Sequence, residues 1–423
     1  MTRSACTARL PTSPPRWGGQ VRRLTSRFAP VLLSALVVAT LGCREEGESP
    51  TAPEPGPALK TTQTQALSFR QVSTGGGAHT CGVTAGNVAY CWGLNSDGQL
   101  GDGTTTNHLT PVPVAGGLRF HQLVAGFFQT CGVTTNNVAY CWGRNSDGQL
   151  GDGTTTNSLL PVPVAGGLRF RQVSAGDFHT CGLTTRSAAH CWGRNFAGQL
   201  GDGTTTDSPT PVQVVGGLRF RSVGLGSNHS CGVTTSHVAH CWGFNDVGQL
   251  GDGTEDIIRP TPVPVAGGLR FRQVISGGDG SATTCGVTMS HVAYCWGFNS
   301  HGQIGDGTGT NRLEPVPVAG GLAFRQVKPG SIHTCGVTTT HVAYCWGFNA
   351  FGELGDGTTI ISVQPVPVLG ELAFGVVDAT GHHTCGLTTS HVAYCWGRNN
   401  FGQLGDGTTT DRLEPVPVAT PAS

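Results

Sequence analysis

The sequence predicts an all-β protein, a seven-bladed β-propeller with one disulfide in each blade. The first observation is a set of seven cysteine pairs of one spacing: Cys81 and Cys91, Cys131 and Cys141, Cys181 and Cys191, Cys231 and Cys241, Cys285 and Cys295, Cys335 and Cys345, Cys385 and Cys395. Successive pairs lie 50 residues apart, except for one step of 54 between the fourth and fifth. The second is that each copy reads approximately LRFRQVSAG, HTCGVTT, VAYCWG, GQLGDGT and PVPV, four short β-type runs between turn residues. A period of about 40–50 residues with four strands marks a propeller blade. The third is the placement of the 66 glycines, which recur at fixed offsets between β-branched runs. Such a composition could signal low complexity, but at fixed offsets it describes short strands joined by tight turns. A chain of 423 residues suggests several domains by length alone, and the internal repeat overrides that prior.

Taken in order, the chain opens with a targeting segment, residues 1–42. Arg22, Arg23 and Arg27 precede a 15-residue apolar run from Phe28 to Gly42. That run is too short for a membrane span, which needs ~20 apolar residues, and it has the layout of a secretory signal. Its end, Leu41-Gly42-Cys43, resembles a bacterial lipoprotein signal, a resemblance that implies lipidation of Cys43. Thr40 stands where that family usually has leucine. Ordinary signal cleavage with a free Cys43 is the alternative. Residues 43–64, rich in proline, glutamate and threonine, read as a disordered tether. The propeller is expected over 65–423. After residue 42 the chain carries 19 basic and 25 acidic residues, a net charge of −6, which argues against nucleic acid as the main partner.

Within a copy, a three-residue hairpin loop over 135–137 places Thr134 opposite Val138 and Cys131 opposite Cys141. Directly opposed residues share one sheet face, within disulfide reach. All seven copies keep this register, and export supplies an oxidising compartment. Zinc would need four convergent ligands where each blade offers two thiols. Trp142 and its six equivalents are expected to pack between blades. Alternating Pro161 and Pro163 suit an outer edge strand. The segment 161–170 reads as a hairpin inside one blade. By that reading the last strand, Pro415 to Val418, pairs with the first, Phe69 to Val72, and closes the ring like a clasp.

The wording CWGRNSDGQLGDGT (residues 141–154) and its six counterparts resemble the regulator of chromosome condensation repeat. The resemblance covers essentially all of residues 65–423. It implies a seven-bladed propeller, a fold shared by secreted bacterial members that include a β-lactamase inhibitory protein. The paired cysteines and the export signal depart from the founding member, and they argue against its nuclear role of nucleotide exchange on a small GTPase.

The strand directions put the short, uniform turns on one face and the variable loops on the other. Before the first cysteine of a copy stand Phe127, Phe128, Phe178 and the pair His382-His383; after the tryptophan stand Arg144, Arg194, Phe244, Phe298, Phe348 and Arg398. Phenylalanine and arginine are types enriched at protein interfaces, so these residues are binding candidates. Asp279, in the lengthened loop of the fifth copy, joins them. The alternative is drift in unconstrained loops. A histidine before the cysteine recurs in five copies and reads as structural, bonding backbone within its blade. The repeated Gly-Asp-Gly-Thr offers one carboxylate per copy, where calcium wants six or more oxygens, and reads as a capped turn. No cofactor, metal or catalytic site is expected. An enzyme would need a repeat-breaking acid and base, each unpaired, converging on the axis. The sequence therefore points to an exported, lipid-anchored, non-catalytic module that binds an envelope or extracellular protein and touches the membrane through its anchor only. A lectin-like glycan-binding module is the alternative.

Overall fold

A computed structural model describes residues 67–421 other than 279 and 281. The targeting segment, Cys43 and the tether lie outside the described residues, as does Asp279. Among the described residues no helix is long and apolar enough to cross a membrane.

The described chain forms seven four-stranded antiparallel sheets, each paired in chain order. In blade 1, β1 (Phe69–Gly75), β2 (His79–Thr84), β3 (Ala89–Gly93) and β4 (His108–Pro113) run from the axis outward. The pattern repeats to β28 (Arg412–Pro417) in blade 7. The hairpin register is the expected one: Cys131 faces Cys141 and Val133 faces Ala139. Asn137 takes the left-handed position of the loop at φ 61°. All seven cysteine pairs are disulfide-bonded, with Cα atoms 4.0–4.1 Å apart. Every one of these cysteines is fully buried.

The ring does not close by the expected clasp. The outermost strand of each blade belongs with the cysteines before it: Cys141 faces Val162, and Cys395 faces Val416. Residues such as 114–119 are the crossover to the next blade instead of a hairpin turn. Four strands span only about 15 Å, and six extended residues reach about 20 Å, so the crossing is within range. The crossover is tied to its own blade on the way, Val114 N–H to the Ala89 carbonyl (3.0 Å) and Phe120 N–H to the Asn87 carbonyl (2.9 Å). The N- and C-terminal blades meet instead by the contact that joins every other pair. Phe69 N–H donates to the His391 carbonyl (3.1 Å), as Phe120 does to Asn87. Phe69, Val72 and Trp92 pack with Cys385, Leu387 and Leu404.

Two devices make that contact. The long loop after each tryptophan leans over the following blade, and a backbone carbonyl in it, that of glutamine in six copies and of Glu353 in the sixth, accepts the next indole N–H: Trp142 Nε1 to Gln99 (3.0 Å), and across the closure Trp92 Nε1 to Gln403 (3.0 Å). All seven of these tryptophans are fully buried, as expected of residues between blades. At the axis, Gln71 pairs with the open edge of the next first strand, donating to the Leu123 carbonyl (2.6 Å) and accepting its N–H (3.1 Å). Gln122 does the same to Val173. A side-chain amide thus satisfies an edge that would otherwise be an unpaired template.

The loop itself turns on a buried asparagine. Asn145 Oδ1 accepts from Leu150 N–H, while its amide donates to Asp152 and to the Thr154 carbonyl. Gly151 sits at φ 73°, and a Cβ there would lie 2.5 Å from Trp192 Nε1. Gly151→Ala combines a left-handed alanine with a clash against a buried ring, so a loss of about 3 kcal/mol is expected in denaturant titration. A loss under about 1 kcal/mol would mean that the loop moves off the tryptophan without penalty.

Candidate binding face

The two ends of the blades differ as the strand directions require. On one face lie the uniform hairpin turns and the crossovers; on the other lie the loops before each second strand and after each third strand. Both described chain ends belong to the uniform face. Phe69 is bonded to the hairpin turn of blade 7 at His391, and Val418 N–H to the Ala393 carbonyl (3.0 Å).

On the variable face the candidate residues gather into two groups and a third site. In blades 2 and 3, Phe127 meets Phe128 edge-on (4.3 Å) and Phe178 (6.3 Å). Arg144 lies over Phe128, and Arg194 over Phe178 and Phe196. In blades 5 to 7 a chain of rings runs Phe298, His301, Phe348, His382 and Phe351, with Arg398 over Phe351 at 4.8 Å. The rings in both groups are half-buried, except Phe196, which is 45% exposed. Cation–π contact places these guanidinium groups over aromatic rings, while Arg144 Nε also donates to Ser146 Oγ (3.0 Å) and Arg194 Nε lies 4.0 Å from Asp147 Oδ1. Phe244 belongs to neither group. It lines a cavity of about 250 Å³ with Phe298, Asn228 and Asp246.

A second cavity, about 330 Å³, opens where blade 7 meets blade 1 and is lined by residues that include Gly76, Gly77, Leu94, Phe128, His382 and Arg398. Sequence reasoning missed the residue behind it. Six copies have glutamine in the post-tryptophan loop; the sixth has Glu353. That carboxylate is fully buried, accepting from Phe351 N–H (2.9 Å) and from His382 Nδ1 (3.1 Å). The signal was present as a single departure from an otherwise repeated letter.

The repeated histidines are structural, but their partners lie in the neighbouring blade. His79 Nε2 meets Thr130 Oγ1 (2.9 Å), whose hydroxyl donates to the Gln99 carbonyl (2.8 Å). Because that hydroxyl spends its proton on a carbonyl, the imidazole must be the donor, protonated on Nε2. His179, His229, His333 and His383 repeat the contact, and burial pushes all five imidazoles down to about 3. Each Gly-Asp-Gly-Thr carboxylate is engaged locally: Asp102 Oδ1 accepts from Asn95, from Thr104 N–H and from Thr104 Oγ1. The axis does hold a repeat-breaking base and acid, Lys328 and Asp378. They pair with each other at 3.3 Å, and Asp378 also accepts from Thr74 N–H. Their arrangement ties blades 6, 7 and 1 together.

Comparison with solved structures finds the same architecture. A structure of human WBSCR16 superposes with a TM-score of 0.72 at 22% identity, covering 79% of this chain and 95% of that one. A structure of Kap60 bound to yeast RCC1 (Prp20) gives 0.69 at 18%, covering 90% and 91%. Prp20p from Saccharomyces cerevisiae, described with its binding to Gsp1p and histones, gives 0.68 at 20%, covering 80% and 87%. Residues 87–133 and 136–183 match the regulator of chromosome condensation (RCC1) repeat, and residues 167–423 match the RCC1-like domain. With seven blades, the repeat in each and more than half of the sequence matched, the chain belongs to the RCC1-like family.

Proposed function

We propose that this protein is an exported, non-catalytic binding module that presents the variable face of its propeller to another protein. One observation carries the reading: the phenylalanines and arginines that differ between blades gather on the variable face, as two aromatic–arginine groups and a Phe244 site. Rigid aromatics and half-buried guanidinium groups are the usual anchors of protein interfaces. A protein partner also agrees with the Kap60 complex of a structure of the same fold. Segment 1–42 acts in this reading as the export signal, Cys43 as the lipid site and 43–64 as the tether. Seven buried disulfides suit an oxidising compartment. In this reading the axial Lys328 and Asp378, paired with one another, serve to tie neighbouring blades together.

The test is affinity capture from envelope extract, comparing the intact protein with a variant in which Phe127, Phe244, Phe298 and Phe348 are alanine. A protein held by the first and lost by the second, with both rings folded by circular dichroism, is the expected result. Equal capture by both would remove this face from the reading. No capture by either would favour glycan as the ligand.

A further inference from the structure

We propose that the cavity between blades 7 and 1 is a carboxylate site, and that its occupant is an acidic group on a peptide segment that also carries an apolar side chain. This deepens the reading of the variable face as a protein-binding surface and rests on it.

The cavity exists because blade 1 lacks side chains there. Its loop reads Gly75-Gly76-Gly77-Ala78, where blade 2 has Phe127-Phe128 and blade 3 has Asp177-Phe178. A Cβ on Gly77 would lie 2.1 Å from the Phe127 carbonyl oxygen, so only glycine lets the chain pass this close to blade 2. Ala78 completes the loop in the left-handed region at φ 64°. The space so opened is walled by Leu94, Phe128 and Phe401.

Its polar lining includes the N–H donors of Arg398 and Asn400. Arg398 is stacked on Phe351 and has no ion-pair partner among the described residues. The Gln403 amide donates to Asn400 Oδ1 (3.3 Å), which leaves the Asn400 amide hydrogens for a ligand. His382 lines the cavity with one ring nitrogen already engaged, since Nδ1 is held by Glu353. Glu353 itself is out of reach of a ligand, fully buried behind the imidazole. No carboxylate lines the cavity. A planar guanidinium beside further N–H donors, with apolar walls, matches a carboxylate attached to an apolar body. The polarity is particular to this junction: the cavity between blades 4 and 5 on the same face carries Asp246.

The probes are N-acetylphenylalanine, its uncharged amide, and a hexapeptide ending in phenylalanine, each titrated into the isotope-labelled protein by NMR. The acid is expected to bind with a Kd of about 1 mM and to shift the amide signals of Gly77, Ala78 and Arg398. The amide should bind roughly tenfold more weakly, and Arg398→Gln should weaken the acid by a similar factor without changing the melting temperature. The hexapeptide should bind more tightly than the single residue, because it extends onto Phe128 and its neighbours. Equal affinity for acid and amide, shifts confined to another part of the ring, or no binding at about 20 mM would overturn the site. A hexapeptide weaker than N-acetylphenylalanine would overturn the peptide as the source. The two readings fail separately: loss of capture by the phenylalanine variant together with indifference to the acid would remove the carboxylate site and keep the face.

Discussion

Acidification is expected to unfold the propeller between about pH 6 and pH 4, with stability falling by roughly 7 kcal/mol per pH unit at the steepest point. The cause is the set of five buried imidazoles, His79, His179, His229, His333 and His383, each pushed by burial down to about 3 from 6.5. In the folded ring they stay neutral, donating through Nε2 to a hydroxyl of the next blade. In the unfolded chain they take up protons below about pH 6.5. The unfolded state therefore binds more protons throughout the window. Stability is complete above that pH and is lost as pH falls toward about 3. Burial pushes the Asp306 and Asp406 carboxyls up, but hydrogen bonds from Thr308 and Arg312, and from Thr408 and Arg412, override it and hold both below the usual range. They add a further loss at still lower pH.

Denaturant titrations at a series of pH values give the proton uptake directly from the slope, and about five protons are expected. Blade 2 supplies the control. Gln129 occupies the histidine position there and donates to the Gly176 carbonyl (2.8 Å) without a titrating group. His179→Gln should lower the uptake by one proton while leaving stability at neutral pH within about 2 kcal/mol. An unchanged slope would show that the imidazole is already protonated in the ring, and the tautomer assignment would fall with it.

Blade number, strand number, cysteine register and the two faces were legible in the sequence, because they depend on period and spacing alone. Ring closure was not. The clasp followed from underestimating the reach of residues such as 114–119, which cross a sheet only four strands wide. The interblade contacts were hidden for another reason. Gln71, Asn95 and Gln99 are polar letters in glycine-rich stretches and look like surface, yet Asn95 and Gln99 are fully buried and Gln71 works through its amide against a neighbouring backbone. Partners 50 residues away in sequence cannot be read from a local pattern. At the candidate face, the phenylalanines and arginines were visible as departures from the repeat. Their sorting into two groups required knowing which loops are neighbours around the ring. Glu353 was visible too, but only the structure shows that His382 reaches it.

Reduction is expected to have the largest effect of all, and to have it only through unfolding. An 11-residue loop closed by a disulfide stabilises a fold by about 2–3 kcal/mol, so seven of them contribute about 19 kcal/mol if they act independently. That exceeds the 5–15 kcal/mol that typically separates folded from unfolded states, so the fully reduced chain should not hold the ring. All fourteen sulfurs are fully buried, which denies a thiolate its line of attack while the blades stay packed. Thiol titration should thus find no free cysteine among the fourteen after hours in dithiothreitol at neutral pH. All fourteen should be free within minutes once denaturant is added, and dilution under reducing conditions should not restore the native circular dichroism. Removing a single bridge, Cys131→Ala with Cys141→Ala, should cost only about 2–3 kcal/mol and leave the ring folded. If the reduced chain refolded fully, packing of the tryptophans and the glutamine edges would suffice, and the disulfides would be a response to the compartment instead of a requirement for folding. If it does not refold, the ring can be completed only where thiols are oxidised, and folding of this propeller depends on an oxidising compartment.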